Sequence, residues 1–308
     1  MYEEIGQNKR NSVILVVVFV AGVIVLGYIF GTVGGFGYFG VIFALIFSIT
    51  ITLTGYFRGD KIVLAVSRAR RADRETYPQL FNIVEELAIA SGLPMPGLYI
   101  ITDDDAPNAF ATGRDPDHAS IAVTTALLSR LNRAELQGVL AHEMSHVGDY
   151  DILFATLIGI LVGMVVLISD FFLRYTFWTG GGRRKGSDSS SGGGGVMMII
   201  ALALAILAPL FALIIQLAVS RQREYLADAN AALMTRYPEG LASALEKIAR
   251  NPGILEASNR ATQHLYIISP IKSIRERKKK SSLFSTHPSV EERIKRLRGM
   301  DGGRKTEE

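Results

Sequence analysis

Asn132-Arg133-Ala134-Glu135-Leu136-Gln137-Gly138-Val139-Leu140-Ala141-His142-Glu143-Met144-Ser145-His146-Val147-Gly148 reads as one helix with chemistry on it. Asn132 can cap it, Glu135 at the third position completes a capping box, and Leu136, Val139, Leu140 and Val147 give it an apolar face. On such a helix His142 and His146 are i,i+4 neighbours, so both imidazoles can reach one ion at about 2.0 Å. Glu143 is rotated about 100° from His142 on the same turn, where it is placed to take a proton from a water at that ion. With five histidines in the chain, a shuffled sequence would contain H-E-x-x-H on the order of 0.003 times, so the pattern is specific. A zinc ion with one position open for water needs a third protein ligand. The chain has no cysteine, which excludes thiolate sites, thiol nucleophiles and disulfides and leaves a histidine or a carboxylate.

Outward from this helix the chain is strongly segregated. Its 308 residues have room for about two compact units, and the net charge of +4 favours neither nucleic acid nor an acidic substrate. Residues 11–57 contain no Asp, Glu, Lys or Arg, which rules out a purely cytosolic globule. The glycine-rich segment 31–37 divides this stretch into apolar runs at about 13–30 and 38–57, each long enough for a membrane helix. The first is too long for the apolar core of a cleaved signal peptide. Two more runs, at about 152–175 and 196–219, flank a Gly/Ser-rich loop at 180–195, and Asp170 and Arg174 can pair near the far end of the third.

Four spans with a cytoplasmic N-terminus put Lys9, Arg10, Arg58, Lys61, Arg68, Arg70, Arg71, Arg74, Arg221, Arg223 and Arg236 inside and only Arg174, Arg183, Arg184 and Lys185 outside. Both termini and both polar parts, 58–151 and 220–308, are therefore expected at the cytoplasmic face of a multi-pass plasma-membrane protein. The first polar part reads as α+β: a helix at 78–91, strands at 98–102 and 120–124, and a short strand at 108–113. The second reads as helices at 222–235, 239–250 and 289–298, with a mobile basic loop at 251–285. The hairpin at 152–219 goes out and back, so it returns Glu224 to the side of the membrane that holds His142 and His146. Glu224 is thus the best third ligand, and Asp228, i,i+4 from it, could fix a ligand imidazole. Asp149 and Asp151 either orient ligands or mark the membrane boundary. His118 and His264 have no evident partner.

These pieces resemble the M48 family of membrane zinc peptidases, in particular its HtpX group: His142-Glu143-x-x-His146, Glu224-Tyr225-Leu226-Ala227-Asp228, Asn108-Ala109-Phe110-Ala111-Thr112-Gly113, and Phe284-Ser285-Thr286-His287-Pro288 with Glu292 and Arg293. The resemblance implies an α+β membrane protein of four transmembrane helices with a cytoplasmic zincin-type (gluzincin-like) helical domain carrying a small β-sheet. It implies one zinc ion held by His142, His146 and Glu224, Glu143 as general base, and an edge strand at Asn108, Ala109, Phe110 and Ala111 that aligns substrate backbone. His287 and Arg293 match positions near the site and are candidate oxyanion donors. The expected activity is endopeptidase cleavage of misfolded membrane proteins, as quality control under stress, with the lipid bilayer and unfolded or membrane-protein substrates as partners and no nucleic acid. Two other readings stay open at this point: a peptidase that trims prenylated C-termini, and a non-catalytic scaffold or transporter with a structural metal. The former calls for a larger intramembrane chamber, the latter for a fourth protein ligand.

Overall fold

The uncharged stretch forms two helices that fold back on each other, α1 (Tyr2–Val33) and α2 (Phe39–Val66). A computed structural model describes residues 2–33, 35–103, 105–180, 221–250 and 288–301. The fourth apolar run at 196–219, the Gly/Ser-rich residues past Gly180, the basic loop at 251–285, His264 and His287 lie outside the described residues. At the tip of the hairpin Gly35 and Gly37 take positive φ, and the Gly37 N–H donates to the Gly31 carbonyl at 2.7 Å. The helices then touch backbone to backbone, since a Cβ on Gly40 would overlap the Gly27 carbonyl.

Both helices outrun their apolar cores. α2 continues through Arg58 and Lys61 to Val66, nine residues past the expected end at 57, because nothing there interrupts its hydrogen bonds and Gly59 packs on Thr156. At 1.5 Å per residue they are about 48 and 42 Å long against a hydrocarbon layer of about 30 Å, so their polar ends stand outside it. Helix α6 (Asp151–Gly180) lies beside them: Phe154, Leu157, Ile158 and Leu161 pack with Leu15, Phe19, Val23 and Leu26 of α1 and Ala44 of α2. Outward, Val13, Val17, Phe39, Phe43 and Ile46 are exposed, a surface suited to lipid. Among the described residues α1 and α2 are long and apolar enough to cross a membrane. α6 makes a third if it is counted as one bent span with the helix before it, which it leaves at 84°.

The rest is helical with a small sheet. In chain order come β1 (Arg70–Arg71), α3 (Pro78–Ser91), β2 (Gly97–Ile101), β3 (Ala109–Gly113), β4 (Ala119–Thr124), α4 (Thr125–Arg130) and α5 (Arg133–Gly148) before α6, then α7 (Arg221–Thr235), α8 (Pro238–Arg250) and α9 (Val290–Asp301). The sheet order is β1-β2-β4-β3, with β2 parallel and β3 antiparallel to β4, so β3 is an edge. Helix α5 is the centre of the core. Its expected apolar face is buried, but so are Gly138, Ala141, Met144 and Ser145, because α3, α7, α8 and β3 surround it. Gly138 permits the closest approach: a Cβ there would lie 2.6 Å from the Leu241 nitrogen of α8.

The expected capping box closes in both directions, with Glu135 N donating to Asn132 Oδ1 at 3.0 Å and Asn132 N to Glu135 Oε2 at 2.9 Å. Glu135 also accepts from Ser243 Oγ at 2.7 Å and Lys247 Nζ at 2.8 Å, which pins α8 to the start of α5. Burial alone would raise its carboxyl, but the bonds from Lys247, the Asn132 N–H and Ser243 hold it below the usual range. A carboxylate lowered on folding adds stability that is complete above its unfolded pKa, about 4.3, and is lost as pH falls through the folded value. Glu135→Ala should therefore cost about 1–3 kcal/mol near pH 7. Thermal unfolding in detergent should show the gap to the parent narrowing below about pH 4.

Candidate metal centre

Two helices carry the cluster, and a sharp corner brings a third element to it. α5 ends at Gly148, Tyr150 takes φ 61, and α6 starts at Asp151, so the second histidine lies within a turn of the helix that enters the apolar cluster. His142 and His146 present their Nε2 atoms 3.2 Å apart, with rings at 90°. Glu224 of α7 completes the group, Oε2 lying 3.8 Å from His142 Nε2 and Oε1 3.9 Å from His146 Nε2. Donors about 2.0–2.1 Å from a tetrahedral ion are about 3.3 Å apart, so the two ring nitrogens already have that spacing and the Glu224 carboxylate has to draw closer for one of its oxygens to share an ion with them.

The outer face of each ring fixes its orientation. His142 Nδ1 is 3.0 Å from Asp228 Oδ1 and His146 Nδ1 is 2.9 Å from Asp151 Oδ2. A proton on each Nδ1, donated to its carboxylate, leaves two Nε2 lone pairs converging on one point, which a cation relieves. The surroundings favour positive charge there. Burial works against a charged His146 ring, yet Asp151, Glu224 and Glu143 push its pKa up to about 9. The residues present therefore fit a metal ion, and His142, His146 and Glu224 are the group that could hold one.

Glu143 is 3% exposed and its carboxylate accepts the backbone N–H of Ala111. Burial raises its pKa above the ordinary carboxylate range, and Glu224 adds to the rise, while positive charge on His142 and His146 opposes it. Asp228 is the reverse case: burial would raise it, but the Arg293 guanidinium and His142 hold it low. Arg293, 1% exposed on α9, donates from Nε (2.8 Å) and Nη2 (2.7 Å) to the two Asp228 oxygens and places Nη1 3.4 Å from Glu224 Oε2.

Asn108, Ala109, Phe110 and Ala111 run along and into β3, all of them buried. The amides facing away from β4 are already bonded: Ala109 N to Asn108 Oδ1 at 3.0 Å, Ala111 N to Glu143, and Gly113 N to Thr156 Oγ1 at 3.2 Å. Helix α6 thus covers the Gly113 end of this edge, and the Ala111 end faces the metal centre.

Several participants lacked a local signal. The sequence allows Asp151 two roles, and in the structure its carboxylate lies against His146 Nδ1. Asn8 and Arg223 reach the same carboxylate, at 2.6 and 3.6 Å, and no spacing in the sequence connects them. Ser145, Asn230 and Asp149 form a further polar cluster on the same helices, at 2.9 to 3.3 Å. His118 is paired after all, with Asp115 Oδ1 and Arg114 Nη2 each at 2.6 Å from a ring nitrogen.

Two histidines one turn apart, a buried glutamate between them and a carboxylate from a second helix define a metal-dependent hydrolase site on a membrane-anchored fold. A family model described as "Peptidase family M48" matches residues 74–301. The chain is 44% identical to a "Protease HtpX homolog" of Caldanaerobacter subterraneus, over 97% of this chain and 98% of that one. It is 45% identical to one of Tropheryma whipplei over the same shares, and 43% identical to one of Streptococcus agalactiae over 97% and 100%. Among solved structures, Ste24p of S. mikatae is similar at a TM-score of 0.49 and 18% identity, over 96% of this chain and 67% of that one. The chain belongs to peptidase family M48 and is a membrane metalloprotease.

Proposed function

We propose that this protein is a zinc endopeptidase that cleaves misfolded membrane proteins at the cytoplasmic face. The observation that carries the reading is the convergence of His142, His146 and Glu224 at the corner where α5 turns into α6, beside the apolar hairpin. A substrate strand released from the bilayer meets the site without crossing the soluble part. Polar parts 58–151 and 220–308 build the catalytic unit, hairpins 1–57 and 152–219 anchor it, and both termini are cytoplasmic.

When bound, zinc would polarise the scissile carbonyl and make water acidic enough to lose a proton near neutral pH. Glu143 takes that proton on its carboxylate and delivers it to the leaving amine, a role suited to a carboxyl raised by burial. Asp228 and Asp151 hold His142 and His146 by their Nδ1 atoms. Of the two oxyanion candidates, His287 lies outside the described residues. The bidentate grip of Arg293 on Asp228 supports a role in fixing that carboxylate and docking α9 on α7. Substrate backbone lies along β3 near Ala109 and Ala111, replacing the bonds those amides now make and freeing Glu143 for its work.

The test is metal removal from the full chain in detergent, with an unfolded membrane protein as substrate. Chelation should lower cleavage at least about 100-fold, and one equivalent of Zn²⁺, but not Mg²⁺, should restore it. Full cleavage by protein with no measurable metal would refute the reading.

A further inference from the structure

Asn8, near the start of the first membrane helix, is 2% exposed and makes contacts that a residue merely entering a bilayer has no use for. Its carboxamide nitrogen donates to Asp151 Oδ1 at 2.6 Å and to the Asp149 carbonyl at 2.9 Å. Asp149 caps the C-terminus of α5, where carbonyls lack helical partners, and Asp151 begins α6. One side chain from α1 therefore spans the corner that separates the two helices. The other Asp151 oxygen, Oδ2, receives His146 Nδ1 at 2.9 Å. A carboxylate held on one oxygen can still turn about its Cβ–Cγ bond, but held on both it cannot, and the ring it supports is fixed too.

The rest of the corner is built around the same contact. Arg223, next to Glu224, places Nη1 3.4 Å from Asn8 Oδ1 and 3.6 Å from Asp151 Oδ1. Lys9 sets its ammonium 4.2 Å from the centre of the Tyr150 ring, the residue with positive φ at the turn. Ser12 Oγ donates to the Asn8 carbonyl at 2.9 Å, one turn along α1. We infer that Asn8 is a positioning residue of the metal centre, acting on His146 through Asp151, so that the first membrane helix forms part of the site. The inference rests on the proposed function, in that it takes His146 as a ligand.

The experiment measures zinc affinity of the full chain in detergent by competition with a chelating indicator, together with the visible spectrum of the Co²⁺ form. Asp151→Asn should weaken binding about 10- to 100-fold, as loss of a group that orients a metal-bound histidine commonly does. Asn8→Ala, one contact further out, should weaken it about 10-fold and alter the Co²⁺ spectrum. Asn8→Asp has the same size but turns a donor toward two acceptors into a charge beside Asp151, so it should bind more weakly than Asn8→Ala. It also carries the test if the alanine variant does not fold. In the Asp151→Asn background, Asn8→Ala should change affinity less than about twofold, because the path to His146 is already cut. Unchanged affinity in both Asn8 variants, or the same loss with and without Asp151, would overturn the inference. His146→Ala with undiminished affinity would instead remove the ligand reading beneath it.

Discussion

Replacing Glu143 with glutamine should leave zinc bound and lower the rate of peptide cleavage by about 10²- to 10⁴-fold. Glutamine has the same shape, and its amide oxygen can still accept the Ala111 N–H, so the contact between α5 and the edge strand survives. What is lost is the ability to take up and return a proton. The parent carboxyl is 3% exposed and raised by burial, so removing its charge costs the fold little and can stabilise it. The loss should fall on kcat with KM near the parent value, because the group acts in the reaction rather than in holding substrate. Metal analysis and initial rates on one preparation separate the possibilities. Retained zinc with lost turnover supports the assignment, and undiminished turnover would take the proton-transfer role away from Glu143.

That this residue could be singled out from the sequence reflects how local its signal is. The two histidines at i and i+4, the glutamate between them and the capping box from Asn132 to Glu135 all lie within seventeen residues of one helix, where spacing translates directly into geometry. The strands near 98, 108 and 120 were readable for the same reason, each within one residue of its observed bounds, and so was α3 with Pro78 at its first position. Glu224 needed a longer argument, since it reaches the histidines only after a chain excursion of 78 residues, and the sequence offers only an expected membrane hairpin at 152–219 as a reason for its return. Asn8 could not be found at all in this way. It is 143 residues from Asp151, it sits in no motif, and its polarity at a helix start looks like ordinary solvation. Only the packing of α1 along α6 turns it inward. The two-residue strand β1 was missed because Arg70-Arg71 shows no alternation, and it exists through its pairing with Tyr99 and Ile100. Helix ends were read short in the membrane hairpin because hydropathy marks where lipid begins, whereas helical hydrogen bonding continues past it.

Replacing Glu224 with alanine should empty the site. The two histidines would remain 3.2 Å apart and held by Asp228 and Asp151, but two neutral imidazoles bind a divalent ion far less tightly than the same pair with a carboxylate. Loss of a group that only orients a ligand costs about 10- to 100-fold in affinity, so loss of the carboxylate itself should exceed about 100-fold. The substitution also removes the Arg293 Nη1 contact at 3.4 Å, but the Arg293–Asp228 fork at 2.7 and 2.8 Å is untouched, so α9 should stay docked and the fold intact. Zinc titration and thermal unfolding without metal tell these effects apart. The expected pattern is weak or absent zinc, cleavage at background, and a metal-free melting temperature close to that of the parent. Glu224→Gln, which keeps the length and one oxygen but not the charge, should fall between alanine and the parent in affinity. If the alanine variant still binds one zinc tightly, the third ligand is another group, and the return of α7 to the two histidines has some other purpose than completing the metal centre.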